Sequence, residues 1–159
     1  MWLVIALMTA AGCTHRIQPT PTPHVTVYFC KAGTDTLVPF PFSVDQGLQG
    51  AKLESALVGQ LLSGPAVPTS TVVLFPAATA ATVDVDGDLA TVNFTGGMAK
   101  PYHGGGTDEV GMFKALTYTI TSVAGVKRVQ VLIDGQKLPT LHGGSFEIDE
   151  PLTRETFSQ

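Results

Sequence analysis

Three carboxylates stand close together in residues 84–88, which read Asp-Val-Asp-Gly-Asp. Calcium prefers such oxygen ligands, and the EF-hand loop presents a similar acidic run. That loop needs its glycine after the third acid and a glutamate near its end, whereas Gly87 follows only the second acid. Because side chains on a strand and turn do not converge on one point, we interpret the run as a hairpin turn and expect no metal site.

A second segment with chemical potential is the run His103-Gly104-Gly105-Gly106, which is similar to the oxyanion loop of some esterases. The sequence contains neither the Gly-x-Ser-x-Gly elbow of those enzymes nor the Gly-Lys-Ser/Thr of a phosphate loop. We therefore expect no enzyme and no cofactor. A binding loop for a small ligand or a wall polymer stays open, with Tyr102, His103, Gly104, Gly105 and Gly106 as its candidate residues.

Histidine and cysteine offer no metal site in the sequence. The four histidines, at positions 15, 24, 103 and 142, lack the spacing of metal ligands. The two cysteines are Cys13 and Cys30. If Cys13 is modified, Cys30 has no partner in the chain, and we expect it to be a small buried thiol.

Cys13 has the most specific chemical context of any residue. Residues 2–11 form an apolar run that is shorter than the roughly 20 residues of a membrane span and fits the core of a secretory signal. The following Ala10-Ala11-Gly12-Cys13 resembles a bacterial lipobox, although Leu is usual at position 10 and no Lys or Arg precedes the run. We expect cleavage after Gly12 and acylation of Cys13. An ordinary cleaved signal remains the alternative, and both predict export.

Residues 13–24 form the predicted connection between anchor and domain. Pro19, Pro21 and Pro23 alternate there with other residues, which favours an extended tether of about 3 Å per residue. The predicted location is the outer face of the bacterial cytoplasmic membrane, or elsewhere in the cell envelope. The formal net charge of −4 and the scattered Lys and Arg argue against nucleic acid as a partner.

The length and the hydrophobic content of the chain predict one compact domain, which we assign to residues 25–154, with a flexible tail at 155–159. Residues 25–30 alternate as a strand, with Val25, Val27 and Phe29 on one face. From Gly50 the period changes to that of a helix that ends at Ser63-Gly64-Pro65. Its apolar positions are Leu53, Leu57 and Leu61, and its predicted polar positions are Lys52, Glu54 and Gln60. The proline-containing segment 36–44 is left unassigned.

Two hairpins and a second helix follow. A turn at Asp86-Gly87 would pair Val83 with Ala90, and a turn at Asp134-Gly135 would give a hairpin whose return strand ends at Pro139. Thr107 is the predicted cap of the second helix, whose first turn holds two acidic residues. The predicted class is α+β, with a small antiparallel or mixed sheet, two helices on one face and the order β-α-β-β-α-β-β.

These elements together resemble the GerM-type domain, named for a protein of sporulation and spore germination. The resemblance covers about residues 25–154. It rests on the strand at 25–29, the helix end Leu61-Leu62-Ser63-Gly64-Pro65, residues 86–94 and residues 129–135. It implies a sandwich like that of ring-building modules of envelope machines, without known catalytic residues.

Such a domain implies a role in assembly or binding. We therefore expect a lipoprotein that contacts the membrane through its anchor and contacts either an envelope protein or a second copy of itself. The alternative is a lipoprotein that binds a small ligand or wall polymer through the glycine-rich loop. Catalysis by Asp84, Asp88 or Glu109 is a third hypothesis, which only coordinates can judge.

Overall fold

The structure is a computed structural model that describes residues 24–65, 70–72 and 74–158. Cys13 and Gly12 lie outside the described residues. The strands are β1 (His24–Lys31), β2 (Leu37–Ser43), β3 (Thr71–Val72), β4 (Thr79–Asp86), β5 (Leu89–Gly96) and β6 (Arg128–Ile133). The α-helices are α1 (Gly50–Ser63) and α2 (Gly106–Ile120), and short 3₁₀ helices form at Gly97–Ala99 and Glu155–Phe157. The predicted α+β class is confirmed.

The strands form two three-stranded sheets, which the sequence patterns do not separate. β1 lies between β2 and β3 in the first sheet, and β5 lies between β4 and β6 in the second. The second sheet is mixed, because β4 and β5 are antiparallel whereas β5 and β6 are parallel. Both helices contact strands of both sheets, so the helices join the two sheets through one core.

Helix α1 follows its predicted boundaries. Gly64 takes a positive φ of 90° and donates its N–H to the carbonyl of Gln60, which ends the helix as expected. The expected polar face is wrong at one position, because Glu54 is fully buried with Leu57 and Leu61. Glu54 follows Leu53 directly, and the buried face of α1 is wide enough to include both.

The first hairpin forms in a register different from the predicted one. Its loop residues are Gly87 and Asp88, so Val83 lies opposite Val92 rather than Ala90. Of these two loop residues, Gly87 has a positive φ and Asp88 does not. Glycine with a positive φ at the first loop position is typical of a type II′ turn. The shift is two residues, which leaves each side chain on its predicted face because strand side chains alternate with period two.

The second hairpin is only partly present. Asp134 and Gly135 both have positive φ and form a tight turn, as predicted. The predicted return strand is wrong, because pairing stops at a single bridge between Ile133 and Gln136. A later segment takes its place beside β6, where Leu152 exchanges two backbone hydrogen bonds with Val129.

Residues 155–158, which the sequence analysis assigned to a tail, include the second 3₁₀ helix. The Phe157 ring stacks on Phe146, and Phe146 in turn stacks on Phe113 of α2, with 5.5 Å between the ring centroids in each pair. These stacked rings connect the end of the described chain to the core.

Helix α2 and two prolines cover the edges of the first sheet. The Tyr28 N–H donates to the Thr119 hydroxyl, and the Ser122 hydroxyl donates to the Thr26 carbonyl. Tyr28 and Thr26 therefore direct their backbone groups away from β2. Pro39 and Pro41 lie opposite these two residues and direct their own backbone groups away from β1, because opposite residues of an antiparallel pair face the same way, either both toward each other or both outward. The outer edge of β2 therefore lacks two N–H donors. The unassigned segment 36–44 is thus a protected edge strand.

Candidate functional site

The predicted binding loop lies between the first 3₁₀ helix and α2. His103, Gly104, Gly105 and Gly106 are exposed, whereas Tyr102 is buried. Helix α2 begins two residues earlier than expected, because Gly105 rather than Thr107 is its N-cap, without a side-chain cap. The loop thus leads directly into the start of α2.

Tyr102 anchors this loop from below. Its N–H donates to the carbonyl of His142, at 2.6 Å. Its hydroxyl lies where a side chain on Gly104 would stand, so residue 104 must be glycine for the loop to close over the ring. Burial, followed by the negative charges of Asp108 and Glu109, raises the pKa of Tyr102 to about 12. Tyr102 therefore stays neutral and positions the loop.

A second glycine-containing loop, residues 141–145, lies against the first. It reads Leu-His-Gly-Gly-Ser, so each loop contains the sequence His-Gly-Gly. Gly143 has a φ of 80° and passes close to the Tyr102 backbone. This loop was not predicted from the sequence, although the repeated His-Gly-Gly is a signal that could have identified it.

Glu109, in the first turn of α2, holds the second loop in place. Its Oε2 accepts hydrogen bonds from the Ser145 N–H at 2.8 Å and from the Ser145 hydroxyl at 3.3 Å. Its Oε1 is buried against Gly144 and has no hydrogen-bond partner in the described part of the chain. Because Glu109 is only 1% exposed, it supports the loops rather than acting on a substrate.

A concave surface of about 300 Å³ adjoins the first loop. Its lining combines apolar and polar side chains: Leu74, Pro76, Pro101, Tyr102, His103 and Asp108. His103 and Asp108 are the polar groups that a small ligand could reach. Among the described residues, no group of three or more His, Cys, Asp and Glu side chains is arranged to hold a metal ion.

The acidic residues considered for catalysis are divided between the β4–β5 hairpin and helix α2. Asp84 lies on β4, Asp88 lies in the β4–β5 turn, and Glu109 lies on α2. Asp88 is paired with Arg128 at 2.6 Å, and this ion pair keeps the pKa of its carboxyl below the usual range. Asp88 is therefore an ionised carboxylate paired with a cation at the surface.

An open apolar groove of about 380 Å³ lies beside β2 and the end of α1. Val27 and Phe29 are among its lining residues and belong to the core, whereas Phe40 and Phe42 are only half-buried. The Phe40 ring packs edge-on against Phe29 at 5.5 Å between centroids. The remaining lining residues are Pro41, Gln60 and Pro65. This groove was not predicted from the sequence, because segment 36–44, which contains β2, had no predicted structure.

No described helix is both long and apolar enough to cross a membrane. A family model described as Germane, sporulation and spore germination, matches residues 26–139. No curated protein sequence matches the chain significantly.

Solved structures share the fold. The first GerMN domain of the sporulation protein GerM from Bacillus subtilis is 20% identical, with a TM-score of 0.67 over 84% of this chain and 99% of that one. A candidate lipoprotein from Clostridium perfringens is 22% identical, with a TM-score of 0.60 over 84% and 89% of the two chains. The tandem GerMN domains of GerM, also from Bacillus subtilis, match at 20% identity and a TM-score of 0.67, over 85% of this chain and 47% of that one.

Proposed function

Because the chain belongs to the Germane family of sporulation and spore germination domains, we propose that it is a non-catalytic lipoprotein of the cell envelope that binds another envelope protein. The predicted resemblance to the GerM-type domain is confirmed by this membership and by the shared fold.

The apolar groove beside β2 carries the proposal of protein binding. Phe40 and Phe42 leave part of their rings exposed, and Pro41 between them adds a rigid apolar rim. Aromatic side chains in a pocket are typical centres of protein–protein interfaces. Gln60 can fix the orientation of a bound segment, although its amide already donates to the Gly64 carbonyl. The groove therefore fits an apolar segment of a partner.

Site-specific photocrosslinking in cells tests the groove. A photoreactive side chain at position 42 in the full chain should give a discrete crosslinked product with an envelope protein. The matched control is position 132, because Leu132 is also half-buried but lies on the other sheet. Equal crosslinking at both positions, or no product at position 42, would count against the groove.

The anchor is tested separately at Cys13. The candidate lipoprotein of Clostridium perfringens, which shares this fold, supports an envelope location, and the lipobox resemblance supports acylation. Metabolic labelling with a fatty-acid analogue should mark the natural chain and not Cys13→Ala. Equal labelling of both would remove Cys13 as the anchor without bearing on the groove.

A second candidate function is binding of a small ligand or wall polymer at the glycine-rich loop of residues 102–106. The concave surface lined by His103 and Asp108 favours it, since it combines hydrogen-bonding groups with apolar walls. Muropeptides or sugars should then raise the unfolding temperature of the natural chain, and His103→Ala should reduce that rise. No change in unfolding temperature with any of these compounds would argue against this function.

A further inference from the structure

The outer edge of β4 carries unpaired backbone groups. In the second sheet the Phe94 carbonyl accepts a hydrogen bond from the Asp134 N–H beyond the end of β6, so Phe94 directs its backbone toward the β6 side. Ala81 lies opposite Phe94 and therefore directs its own groups away from β5. The Gly97 N–H also donates to the Ala78 carbonyl, which places the even-numbered positions of this segment toward β5. Because the direction of the backbone groups alternates along a strand, the N–H and C=O groups of Ala81, Val83 and Val85 point outward, away from β5.

These outward groups have no hydrogen-bond partner in the part of the chain that the structure describes. Among the described residues, the backbone hydrogen bonds of β4 join it to β5, and none involves the outward side of Ala81, Val83 or Val85. An edge with free N–H and C=O groups is a template for another strand. Eight residues long and without proline or lysine, β4 is well suited to such pairing.

The other long edges are protected by devices that β4 lacks. Pro39 and Pro41 remove donors from the outer edge of β2. Thr119 of α2 and Ser122, just after the end of that helix, satisfy backbone groups of β1. Leu152 pairs with the outer edge of β6. Within residues 24–65, 70–72 and 74–158, these three strands are thus protected and the outer edge of β4 is open.

We propose that β4 pairs antiparallel with β4 of a second copy, about a two-fold axis at Val83. The outward residues would then meet as Val83 with Val83 and Ala81 with Val85, in both directions, giving about six backbone hydrogen bonds. The helices of both copies would lie on the same face of the joined sheet, because a two-fold axis perpendicular to the sheet leaves the inner side chains of both β4 strands on one face. The result is a continuous six-stranded sheet.

The side chains of β4 select this register. With the axis at Val83, Asp84 of one copy lies opposite Thr82 of the other, and the hydroxyl can donate to the carboxylate. If the axis lay at Asp84 instead, one residue nearer the turn, Asp84 of one copy would lie opposite Asp84 of the other. That register is unfavourable because like charges repel. The exposed acids therefore do not block the contact, but they restrict its alignment.

Disulfide trapping tests both the contact and its register. Thr82 and Asp84 would form a non-hydrogen-bonded pair across the axis, with Cα atoms about 4.5 Å apart, a distance that suits a disulfide. Full chains carrying Cys13→Ser with either Thr82→Cys or Asp84→Cys would be oxidised alone and as a mixture. Lys137→Cys, at an exposed position two residues after the Asp134-Gly135 turn, is the control for random collision.

The mixture should form a crosslinked dimer at least tenfold faster than either variant alone or Lys137→Cys. Crosslinking of Thr82→Cys alone at the same rate as the mixture would overturn the register. A mixture that crosslinks no faster than Lys137→Cys would overturn the contact. Neither outcome depends on the groove beside β2, so failure here is distinguishable from failure of the proposed partner binding.

A charge series without cysteines provides a second measurement. Thr82→Lys would face Asp84 of the other copy and should tighten dimerisation in sedimentation experiments, whereas Thr82→Glu should weaken it by tenfold or more. Thr91 lies opposite Asp84 within the same chain but on the central strand β5, so Thr91→Lys and Thr91→Glu are matched controls. If the two Thr82 variants associate equally, the pairing of β4 strands is wrong.

Discussion

The backbone N–H of Tyr28 donates a hydrogen bond of 3.0 Å to the hydroxyl of Thr119, although 91 residues separate them. Strand β1 would otherwise expose this donor on the side facing α2. The helix supplies a side-chain acceptor in place of a neighbouring strand, which allows a helix to terminate the pairing of a sheet. A hydroxyl on an otherwise apolar helix face thus becomes part of the hydrogen-bonding pattern of β1.

Replacement of Thr119 by valine should lower the free energy of unfolding by about 1–3 kcal/mol, because the Tyr28 N–H loses its partner in a partly buried place. Thr119→Ser keeps the hydroxyl and should cost less, although it removes a buried methyl group. Urea unfolding of the three proteins measures the difference. If valine is tolerated better than serine, the hydrogen bond does not contribute as argued.

Gly111 should not tolerate alanine, because the added Cβ would lie 2.9 Å from the Cys30 sulfur and 3.0 Å from Leu74 Cδ1. We expect Gly111→Ala to lower stability by about 1–3 kcal/mol through overpacking. Gly59 is the matched control, since it lies inside α1 with nothing within 4 Å of its added Cβ. Gly59→Ala should therefore raise stability by about 0.5–1 kcal/mol. Thermal unfolding measures both effects. A change of the unfolding temperature in the same direction in both variants would contradict this prediction.

The sequence predicts those features of the fold that depend on local patterns. Side-chain alternation places Val83 on the correct face of β4 even though the predicted register is wrong by two residues. The register itself depends on whether the turn begins at Asp86 or Gly87. Both turns place the apolar side chains of the hairpin on one face, so the sequence pattern does not distinguish them. The helix end at Gly64 is predicted correctly because glycine and proline there act locally.

The candidate site depends on contacts that local patterns do not encode. His103 and His142 belong to loops that meet only because the Tyr102 N–H reaches the His142 carbonyl across the fold. The sequence predicts that Glu109 is an acidic residue at the exposed start of a helix, but in the structure the second loop covers it. The apolar groove likewise requires knowledge that β2 pairs with β1 beside the end of α1.

The buried carboxyl of Glu54 should make stability depend on pH. Neither of its oxygens has a hydrogen-bond partner among the described residues, and burial raises its pKa from 4.5 to about 8. The folded chain therefore keeps a proton that the unfolded chain releases between these two values. Stability should fall as pH rises through this window, by at most about 1.4 kcal/mol per pH unit, and level off above pH 8.

Glu54→Gln should remove this part of the pH dependence, because the amide does not ionise. Urea unfolding from mildly acidic to mildly alkaline pH measures it, with Glu147→Gln as the control at an exposed position. The control should keep the slope of the natural chain. An unchanged slope in Glu54→Gln would show that Glu54 does not hold its proton in the folded state.

The contact between Glu109 and Gly144 should be the most sensitive point of the loop pair. A Cβ at position 144 would overlap the Glu109 carboxylate, so Gly144→Ala must displace either the carboxylate or the loop. We expect a loss of about 1–3 kcal/mol and faster hydrogen exchange at the Ser145 amide, which donates to Glu109. Gly105 is the control in the first loop, because its added Cβ would meet nothing closer than 4.0 Å and its φ of −78° suits alanine. Faster exchange at Ser145 in Gly105→Ala as well would mean that the two loops loosen together and that Glu109 alone does not fix the second one.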